Sequence, residues 1–397
     1  MKRLFYSGLI GLFFIGLGHA QSQADALTTK LNKIQDLGYL PGFAVAVVSE
    51  KGVHYQNGFG YSDVENKRPF TVNSLQNIGS ISKTLTGIAI MKLIEEGKLS
   101  LETPINDILP QKLYNPYYPK IPITIRHLVT HTASFNDPFD YERTYLFSEK
   151  INIPKKRLPK ELRKYVKLYN TNTPMSVEQF IESMMHPFGK YYAKKNFLRK
   201  RPGTTYNYSN MGATIAGYIV ELVSGKSYQD YTREHVLNPL NMTRSGWSHE
   251  EIDMSNFVSL YLRNDEKIPP YSLISYADGG LITSVHDLSL YFSEMIKGYK
   301  NGNSKILSDS SYKTMMDALF ISDDKKSGIF WAINGKGEYG HSGGDPGIMA
   351  YMMFDPKTGL GRIVLTNKFD DKGNGINQVV YIWKTLEEFM SGLAAGL

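Results

Sequence analysis

The 397-residue chain contains no cysteine. It therefore cannot form a disulfide, carry a lipid on an N-terminal cysteine or use a thiolate as a nucleophile. A chain of this length buries enough apolar surface to be stable without disulfides, even outside the cytoplasm. If the protein is an enzyme, its chemistry must rest on other side chains.

Long apolar runs are also scarce. The clearest one, Leu9 to Leu17, follows Lys2 and Arg3 and is followed by the small-x-small sequence Gly18-His19-Ala20. This order predicts a secretory signal peptide over residues 1–20, cut after Ala20. The run is well short of the ~20 residues that span a bilayer, so cleavage is favoured over an uncleaved anchor. We expect a mature chain without a transmembrane anchor, in a bacterial periplasm or secreted.

Positive charge is unevenly distributed. The chain has a formal net charge of +7, yet residues 143–201 hold fifteen Lys/Arg and four Glu, a net of +11. This stretch belongs to a basic insertion at about 134–203 that lacks clean periodicity. It is either a solvated variable insertion or a surface for an acidic polymer such as peptidoglycan. The sequence contains no nucleic-acid-binding module, and expected secretion also argues against a nucleic-acid partner.

Hydrophobic periodicity predicts strands near both ends of the chain. Residues 43–60 and 341–367 each read as strand, turn, strand, whereas residues 80–97 predict an apolar helix and residues 377–390 an amphipathic one. This order predicts one sheet built from both ends of the chain, with a largely helical region between them.

The first candidate catalytic feature is a Ser-x-x-Lys motif. It occurs three times, at Ser80/Lys83, Ser310/Lys313 and Ser322/Lys325. Only Ser80 follows a glycine, Gly79, and opens a long apolar helix, with Lys83 one turn later on the same face. Burial near the positive helix end should lower the pKa of Lys83, so that the neutral amine could accept the serine proton. In isolation, a capping serine with a solvated lysine explains the pattern equally well.

A second motif is Tyr208-Ser209-Asn210, between a Pro-Gly turn and an apolar helix. Tyr208 could share a proton with Lys83 as a phenolate or a relay. Asn210 could hydrogen-bond both Lys83 and a substrate carbonyl. The alternative is a buried structural tyrosine followed by a helix-capping asparagine.

A third motif is His341-Ser342-Gly343-Gly344, which contains the one His-x-Gly of the chain and begins an apolar strand. Its small residues would let a substrate backbone lie against the strand. The N–H groups of Gly344 and Ser80 could together form an oxyanion hole. The alternative is a turn before a strand.

The order Ser-Ile-Ser-Lys, Tyr-Ser-Asn, His-Ser-Gly resembles the serine β-lactamase and penicillin-binding protein superfamily, in its class C-like branch of DD-peptidases, D-aminopeptidases and esterases. Further similar segments are "GKLSLETPINDILP", "ITIRHLVTHTAS", "RPGTTYNYSN", "ADGGLITSVHDL" and "GLGRIVLTN", and the similarity covers about residues 35–390. It implies an α+β (α/β sandwich) fold of the β-lactamase/DD-peptidase type. In that fold helices flank an antiparallel sheet, and a mostly helical subdomain is inserted. The mature residues 21–397 would form this one serine hydrolase domain.

The resemblance also implies roles for the motif residues. Ser80 would be the nucleophile, Lys83 the proton acceptor, Tyr208 a base or relay and Asn210 a substrate contact. His341 takes the position usually held by lysine. A literal Lys-Thr-Gly occurs at 357–359, but the surrounding Asp-Pro-x-x-Gly predicts a hairpin turn away from the site.

Histidine in the third motif bears on the substrate, because a neutral imidazole holds a carboxylate less firmly than lysine does. We expect a secreted serine hydrolase that forms an acyl-enzyme, acting as a peptidase or amidase on D-amino-acid, cell-wall-type peptides. The alternatives are an esterase or weak class C-like β-lactamase, and a penicillin-binding or cell-wall sensor protein that acylates without turnover. The expected substrate is a small molecule or a peptide, and peptidoglycan is one source of such peptides.

No cofactor or metal is expected. His127 and His131 have the i, i+4 spacing of metal ligands, but no glutamate follows the first histidine as in metalloproteases, so we interpret both as structural. Asp278-Gly279-Gly280 predicts a turn near the site. The sequence leaves the deacylating group and the oligomeric state open.

Overall fold

The computed structural model describes residues 22–322 and 325–395. Its strands are β1 (Gly42–Ser49), β2 (Gly52–Asp63), β3 (Arg68–Pro69), β4 (Gln76–Asn77), β5 (Tyr145–Phe147), β6 (Leu260–Tyr261), β7 (Lys267–Ile268), β8 (Tyr271–Leu273), β9 (Ile282–Thr283), β10 (Phe320–Ile321), β11 (Lys326–Ser327), β12 (Ala332–Ile333), β13 (Tyr339–Asp345), β14 (Ile348–Phe354) and β15 (Gly361–Thr366). Its α-helices are α1 (residues 22–35), α2 (Ser82–Glu95), α3 (Ile125–Val129), α4 (Arg163–Tyr169), α5 (Val177–Met185), α6 (Asn210–Ser224), α7 (Tyr228–Thr232), α8 (Tyr276–Gly279), α9 (Val285–Asn301), α10 (Asp309–Met316) and α11 (Asn374–Ala395).

A nine-stranded sheet joins the two ends of the chain. Its order is β10-β11-β12-β13-β14-β15-β1-β2-β3, and its neighbouring strands pair antiparallel. The late strand β15 lies beside the early strand β1, with Phe43 opposite Thr366 and Val48 opposite Gly361. The prediction of one sheet built from both ends is confirmed.

Strand β1 is buried on both faces, which explains its unbroken apolar sequence. Ala44, Ala46 and Val48 point into the larger core, on the side of the helical region. The alternate residues Phe43, Val45 and Val47 point into a second core with α1 and α11. The period of two along the strand therefore places the sheet between two helical layers, as the predicted α+β sandwich requires.

The helical layer that carries the site lies between β3 and β10 in the chain. At its centre is α2, of whose fourteen residues eleven are buried. A helix that is apolar all round is stable only when surrounded, and α6, α7, α8 and α10 contact it. The start of α2 is thereby held at a fixed place beside β13.

The basic insertion is less regular than the subdomain around it. Residues 134–203 contain two short α-helices, α4 and α5, 3₁₀ segments of three to six residues and the three-residue strand β5. Their lack of 3.6-residue periodicity agrees with this irregular backbone. Pairing of β5 with β8 and contacts between aromatic rings, such as Tyr145 and Tyr271 at 5.3 Å, hold the segment against the rest of the fold.

The Lys-Thr-Gly triplet at 357–359 lies in the turn between β14 and β15, as predicted. There the Asp355 carboxylate accepts the Lys357 N–H at 2.8 Å and the Thr358 hydroxyl at 3.2 Å. The last helix is longer than its predicted span of 377–390. None of the helices in the described ranges has the length and apolar character needed to cross a bilayer. The predicted signal peptide, residues 1–20, lies outside these ranges.

Candidate active site

Ser80 lies in a 3₁₀ turn, Gly79–Ile81, that leads directly into α2. Lys83 is in the first turn of that helix, where residues three apart stand on one face. Its Nζ is 2.9 Å from Ser80 Oγ. The structure therefore brings together the two residues of the first motif, in a setting that the other two Ser-x-x-Lys copies do not share.

The fully buried ammonium of Lys83 has two further contacts. Its Nζ donates to Asn210 Oδ1 at 2.8 Å and to the Asp278 carbonyl oxygen at 2.7 Å. Both of these oxygens can only accept, so two N–H groups are committed whatever the charge of the lysine. The contact with Ser80 can reverse, because an ammonium donates to Oγ whereas a neutral amine accepts the serine proton.

The expectation that the pKa of Lys83 is lowered is wrong. Burial does lower it, but interactions with Tyr208, Asp278 and Asp345 outweigh burial and hold the pKa of Lys83 above its ordinary value. The sequence argument considered only burial and the helix end, and it could not include carboxyls contributed by distant segments. In the resting site the lysine is an ammonium ion.

Two buried carboxyls lie close to this lysine. Burial raises the pKa of Asp278 to about 6 and that of Asp345 to about 7. Asp278 accepts hydrogen bonds from the Tyr141 hydroxyl and, at 3.1 Å, from Ser275 Oγ. Asp345 Oδ1 accepts the Tyr145 hydroxyl at 2.6 Å. Sequence reasoning placed the 278–280 turn near the site but gave neither carboxyl a role, since no motif marks them.

Tyr208 stands over the same lysine, with Lys83 Nζ 5.1 Å from its ring centroid. Although 37% of the residue is exposed, its hydroxyl interacts with buried Lys83 and with Ser80. Burial raises the pKa of Tyr208, while Lys83 and Ser80 lower it without cancelling the rise. The phenol is thus next to both partners between which a proton would move.

His131, interpreted as structural from the sequence, packs directly against Tyr208, with ring centroids 4.5 Å apart. Its Nδ1 accepts the Ser209 N–H at 3.3 Å, which places the imidazole proton on Nε2. Burial, followed by the charge of Lys83, holds the pKa of His131 well below 6.5. This neutral ring supports the tyrosine, a role that the spacing from His127 does not signal.

Asn210 owes its orientation to a carboxylate from the basic insertion. Asp137 accepts the Asn210 N–H at 2.5 Å, the Met211 N–H at 3.2 Å and the Ser209 hydroxyl at 2.8 Å. A negative charge at the start of α6 satisfies the free N–H groups there and the helix dipole. Asp137 thereby fixes the residue whose side chain holds Lys83, and no sequence motif had pointed to it.

His341 is 8% exposed and lies on β13, its ring centroid 6.1 Å from that of Tyr208. Its Nδ1 is 2.6 Å from the carbonyl oxygen of Ser342, so Nδ1 carries the proton and Nε2 is an acceptor. Burial, and then the charge of Lys83, lowers the pKa of His341 to about 4. At neutral pH the site therefore presents an uncharged imidazole.

Among the residues that the structure describes, no strand pairs with the β13 edge beside Ser80. β14 pairs with the whole of β13, whereas β12 pairs only with Tyr339 and Gly340. The exposed residue Ser342 and the two glycines after it follow on this free edge.

Gly343 and Gly79 allow the two backbones to touch. A Cβ on Gly343 would lie 2.0 Å from the Ile78 carbonyl oxygen and 3.2 Å from Ser80 N. Gly79, at φ +53°, approaches Gly344 so closely that a Cβ would lie 3.0 Å from its nitrogen. The backbone N–H groups of Ser80 and Gly344 are thus on adjoining segments, as an oxyanion hole requires.

This fold and this arrangement of residues define the serine β-lactamase and penicillin-binding protein superfamily, a class of serine hydrolases. The profile of the family described as Beta-lactamase matches residues 31–386, and the chain belongs to that family.

Two curated relatives are similar over most of this chain. The serine beta-lactamase-like protein LACTB, mitochondrial, of Homo sapiens is 28% identical over 320 residues, which is 70% of this chain and 58% of the relative. Protein flp of Staphylococcus aureus (strain MW2) is 23% identical over 340 residues, covering 83% and 60%. The chain thus spans about three fifths of the length of each relative.

Solved structures show the same fold. The octameric penicillin-binding protein homologue from Pyrococcus abyssi superposes with a TM-score of 0.67 at 28% identity, over 88% of this chain and 73% of that one. The D-amino acid amidase from Ochrobactrum anthropi SV3 gives a TM-score of 0.65 at 20% identity, over 92% and 99%.

Proposed function

We propose that the protein is a serine acyl hydrolase in which Ser80 attacks a carbonyl carbon and forms an ester with the acyl group. The observation that carries this proposal is the 2.9 Å contact between Lys83 Nζ and Ser80 Oγ, on a lysine that also donates to two oxygens that can only accept. The N–H groups of Ser80 and Gly344 would hold the oxyanion. Asn210 would contact the substrate as well as Lys83.

The proton moves within the coupled pair of Lys83 and Tyr208. When the pair has lost one proton, the form with a neutral amine can accept the proton of Ser80. As the bond to the leaving group breaks, Tyr208 delivers a proton to the leaving atom. Water then gives a proton to the same pair and its oxygen attacks the ester carbonyl carbon. The bond to Ser80 Oγ breaks to release the acid, and the pair returns the proton to Oγ, which restores Ser80.

We further propose amides and peptides of D-amino acids, of the cell-wall type, as the substrate class. The D-amino acid amidase that shares the fold is named for such substrates. The neutral His341 supports an amidase or aminopeptidase over an enzyme that must bind a substrate carboxylate by charge. The same neutral imidazole would also admit small esters, so an esterase is the second candidate. The predicted signal peptide supports action outside the cytoplasm.

The test is mass spectrometry and turnover of the mature protein with a fluorescent penicillin, a p-nitrophenyl ester and a D-amino acid amide. We expect turnover of the amide or ester that falls by about 10³-fold or more in Ser80→Ala. Ser310→Ala is the matched control, because it alters another Ser-x-x-Lys copy, and it should keep full activity.

Other outcomes would exclude parts of the proposal. A stable penicillin adduct on Ser80 without turnover of any substrate would indicate a sensor that does not deacylate. Equal behaviour of wild type and Ser80→Ala with all three compounds would rule out Ser80 as the nucleophile.

A further inference from the structure

A cavity of about 390 Å³ opens beside the proposed oxyanion hole, where Gly344 forms part of its wall. Much of the remaining wall is aromatic and comes from the basic insertion. The insertion contributes the rings of Tyr145, Phe147, Tyr165 and Tyr169, and Phe369 from outside the insertion also lines the cavity. Neighbouring rings are in contact, as between Tyr145 and Tyr169 at 5.3 Å and between Phe147 and Tyr169 at 5.1 Å. These contacts give the cavity a preformed aromatic surface.

The cavity is acidic, whereas the insertion that forms part of its wall is basic. Four carboxyl groups and two cationic groups line it, namely Glu142, Glu161, Asp345, Asp371, Arg263 and Lys372. Arg263 is paired with Glu161, and Asp345, with a pKa of about 7, accepts the Tyr145 hydroxyl. Glu142 and Asp371 are then left facing Lys372. A stretch with a net charge of +11 therefore contributes to an acidic cavity.

Glu142 is the carboxyl set among the rings. Its Oε2 accepts the Tyr169 hydroxyl at 2.6 Å, and within the described chain Oε1 accepts no hydrogen bond. Burial raises the pKa of Glu142, and the charge of Asp278 adds to the rise, whereas the Tyr169 hydrogen bond and Lys164 lower the pKa without cancelling it. A half-buried carboxylate, one oxygen of which accepts no hydrogen bond from the described residues, is stabilised when a cation binds beside it.

The orientation of a substrate follows from the proposed function, on which this inference rests. The leaving group must receive a proton from Tyr208, and on β13 it is His341 that lies next to Tyr208. The leaving group therefore occupies the His341 end of the site. The acyl group extends the other way, past Gly344 and into the cavity.

We propose that the cavity is the acyl-side specificity pocket and selects acyl groups that carry a protonated amine on an apolar body. Amides, peptides and esters of hydrophobic amino acids with a free α-amino group have this chemistry. The rings hold the apolar side chain, and Glu142, together with the faces of the rings, holds the ammonium group. The protein would then remove a residue from a free amino terminus, and Glu142 would determine specificity without taking part in bond breaking.

The test compares kcat/KM for three methyl esters: D-phenylalanine, N-acetyl-D-phenylalanine and 3-phenylpropionate, which lacks the amine. We expect wild type to prefer the free amine by about 10-fold or more, the discrimination that one charged contact supplies. Glu142→Gln should remove that preference and leave kcat/KM for the two amine-free esters within about twofold. Glu161→Gln is the matched control, because this exposed glutamate lines the same cavity but is already paired with Arg263. It should retain the preference.

A second measurement needs no variant. D-phenylalanine amide and its N-acetyl form are compared as inhibitors of wild-type hydrolysis of the 3-phenylpropionate ester, and only the free amine should inhibit strongly. Equal kcat/KM for the three esters, together with equal inhibition by the two amides, would overturn the assignment of the cavity as an amine-selective pocket. The proposal of Ser80-dependent hydrolysis would remain intact. Absence of any Ser80-dependent hydrolysis would overturn the proposed function and this inference together.

Discussion

At the scale of single residues, the site depends on which group holds a proton. Lys83 is an ammonium at rest, although it is fully buried, because Tyr208 and nearby carboxyls compensate for its lost hydration. A hydrolase of this design should therefore gain activity as pH rises and its Lys83–Tyr208 pair loses a proton. The adjoining His131 and His341 are both neutral at neutral pH and above, so they add no competing charge.

Tyr208→Phe removes the hydroxyl group and keeps the aromatic ring, so it tests the role of the hydroxyl alone. We expect kcat to fall by about 10² to 10⁴-fold, the usual contribution of a positioned proton donor. The free energy of unfolding should change by less than about 1 kcal/mol, because the ring can still pack on His131. Tyr206→Phe is the control, since Tyr206 also contacts His131, at 5.7 Å, and it should keep normal kcat. A Tyr208→Phe enzyme with unchanged kcat would remove Tyr208 from the proton path.

His341 predicts a pH dependence of stability. Its pKa is about 4 in the folded protein and 6.5 when unperturbed, so between these values the unfolded chain binds a proton that the folded chain does not. The contribution of His341 to stability is thus present above pH 6.5 and is lost as pH falls towards 4, by up to about 3 kcal/mol. Denaturant unfolding of wild type and His341→Asn should show the stability difference shrinking over this window. A constant difference from pH 4 to 7 would contradict the assignment.

At the scale of elements, the site is made where the start of α2 meets β13. Gly343→Ala tests this contact, because the new methyl group would lie 2.0 Å from the Ile78 carbonyl oxygen. The strand must move away from Ser80, so we expect kcat/KM to fall by about 10²-fold or more, with a loss of about 1–3 kcal/mol in stability.

Gly335→Ala is the control for that substitution, since a Cβ there has no atom within 4 Å. Its stability should stay within about 0.5 kcal/mol of wild type. Full activity in Gly343→Ala would show that the two backbones need not touch for catalysis.

At the scale of the whole molecule, both ends of the chain are needed for one sheet. β15 pairs with β1, and α1 and α11 cover the face opposite to the site. The helical region between β3 and β10 is therefore held at both of its ends, which fixes Ser80 relative to β13.

The predicted signal peptide is also a whole-molecule property. Expressed as the full chain in a Gram-negative host, the protein should be recovered from the periplasm with Gln21 as its first residue. The intact mass of the purified protein measures this directly. A cytoplasmic protein that retains residues 1–20 would contradict both the cleavage site and the expected compartment.

The sequence by itself determined the elements and the motif residues. Period-two and apolar runs located β1, β2, β14, β15 and α2, because burial of a strand or a helix leaves a local pattern. Three ordered motifs indicated Ser80, Lys83, Tyr208, Asn210 and His341, and the fold brings these residues together.

Only the tertiary structure decided the environment of those residues. Asp137 at the start of α6, His131 beneath Tyr208, and Asp278 and Asp345 near Lys83 come from segments far apart in the chain. Tyr208, Asp278 and Asp345 reversed the expected direction of the Lys83 pKa, and burial together with the charge of Lys83 made His341 neutral. Electrostatic effects act through space and depend on burial, so their sign at one residue is settled only when distant groups have been placed around it.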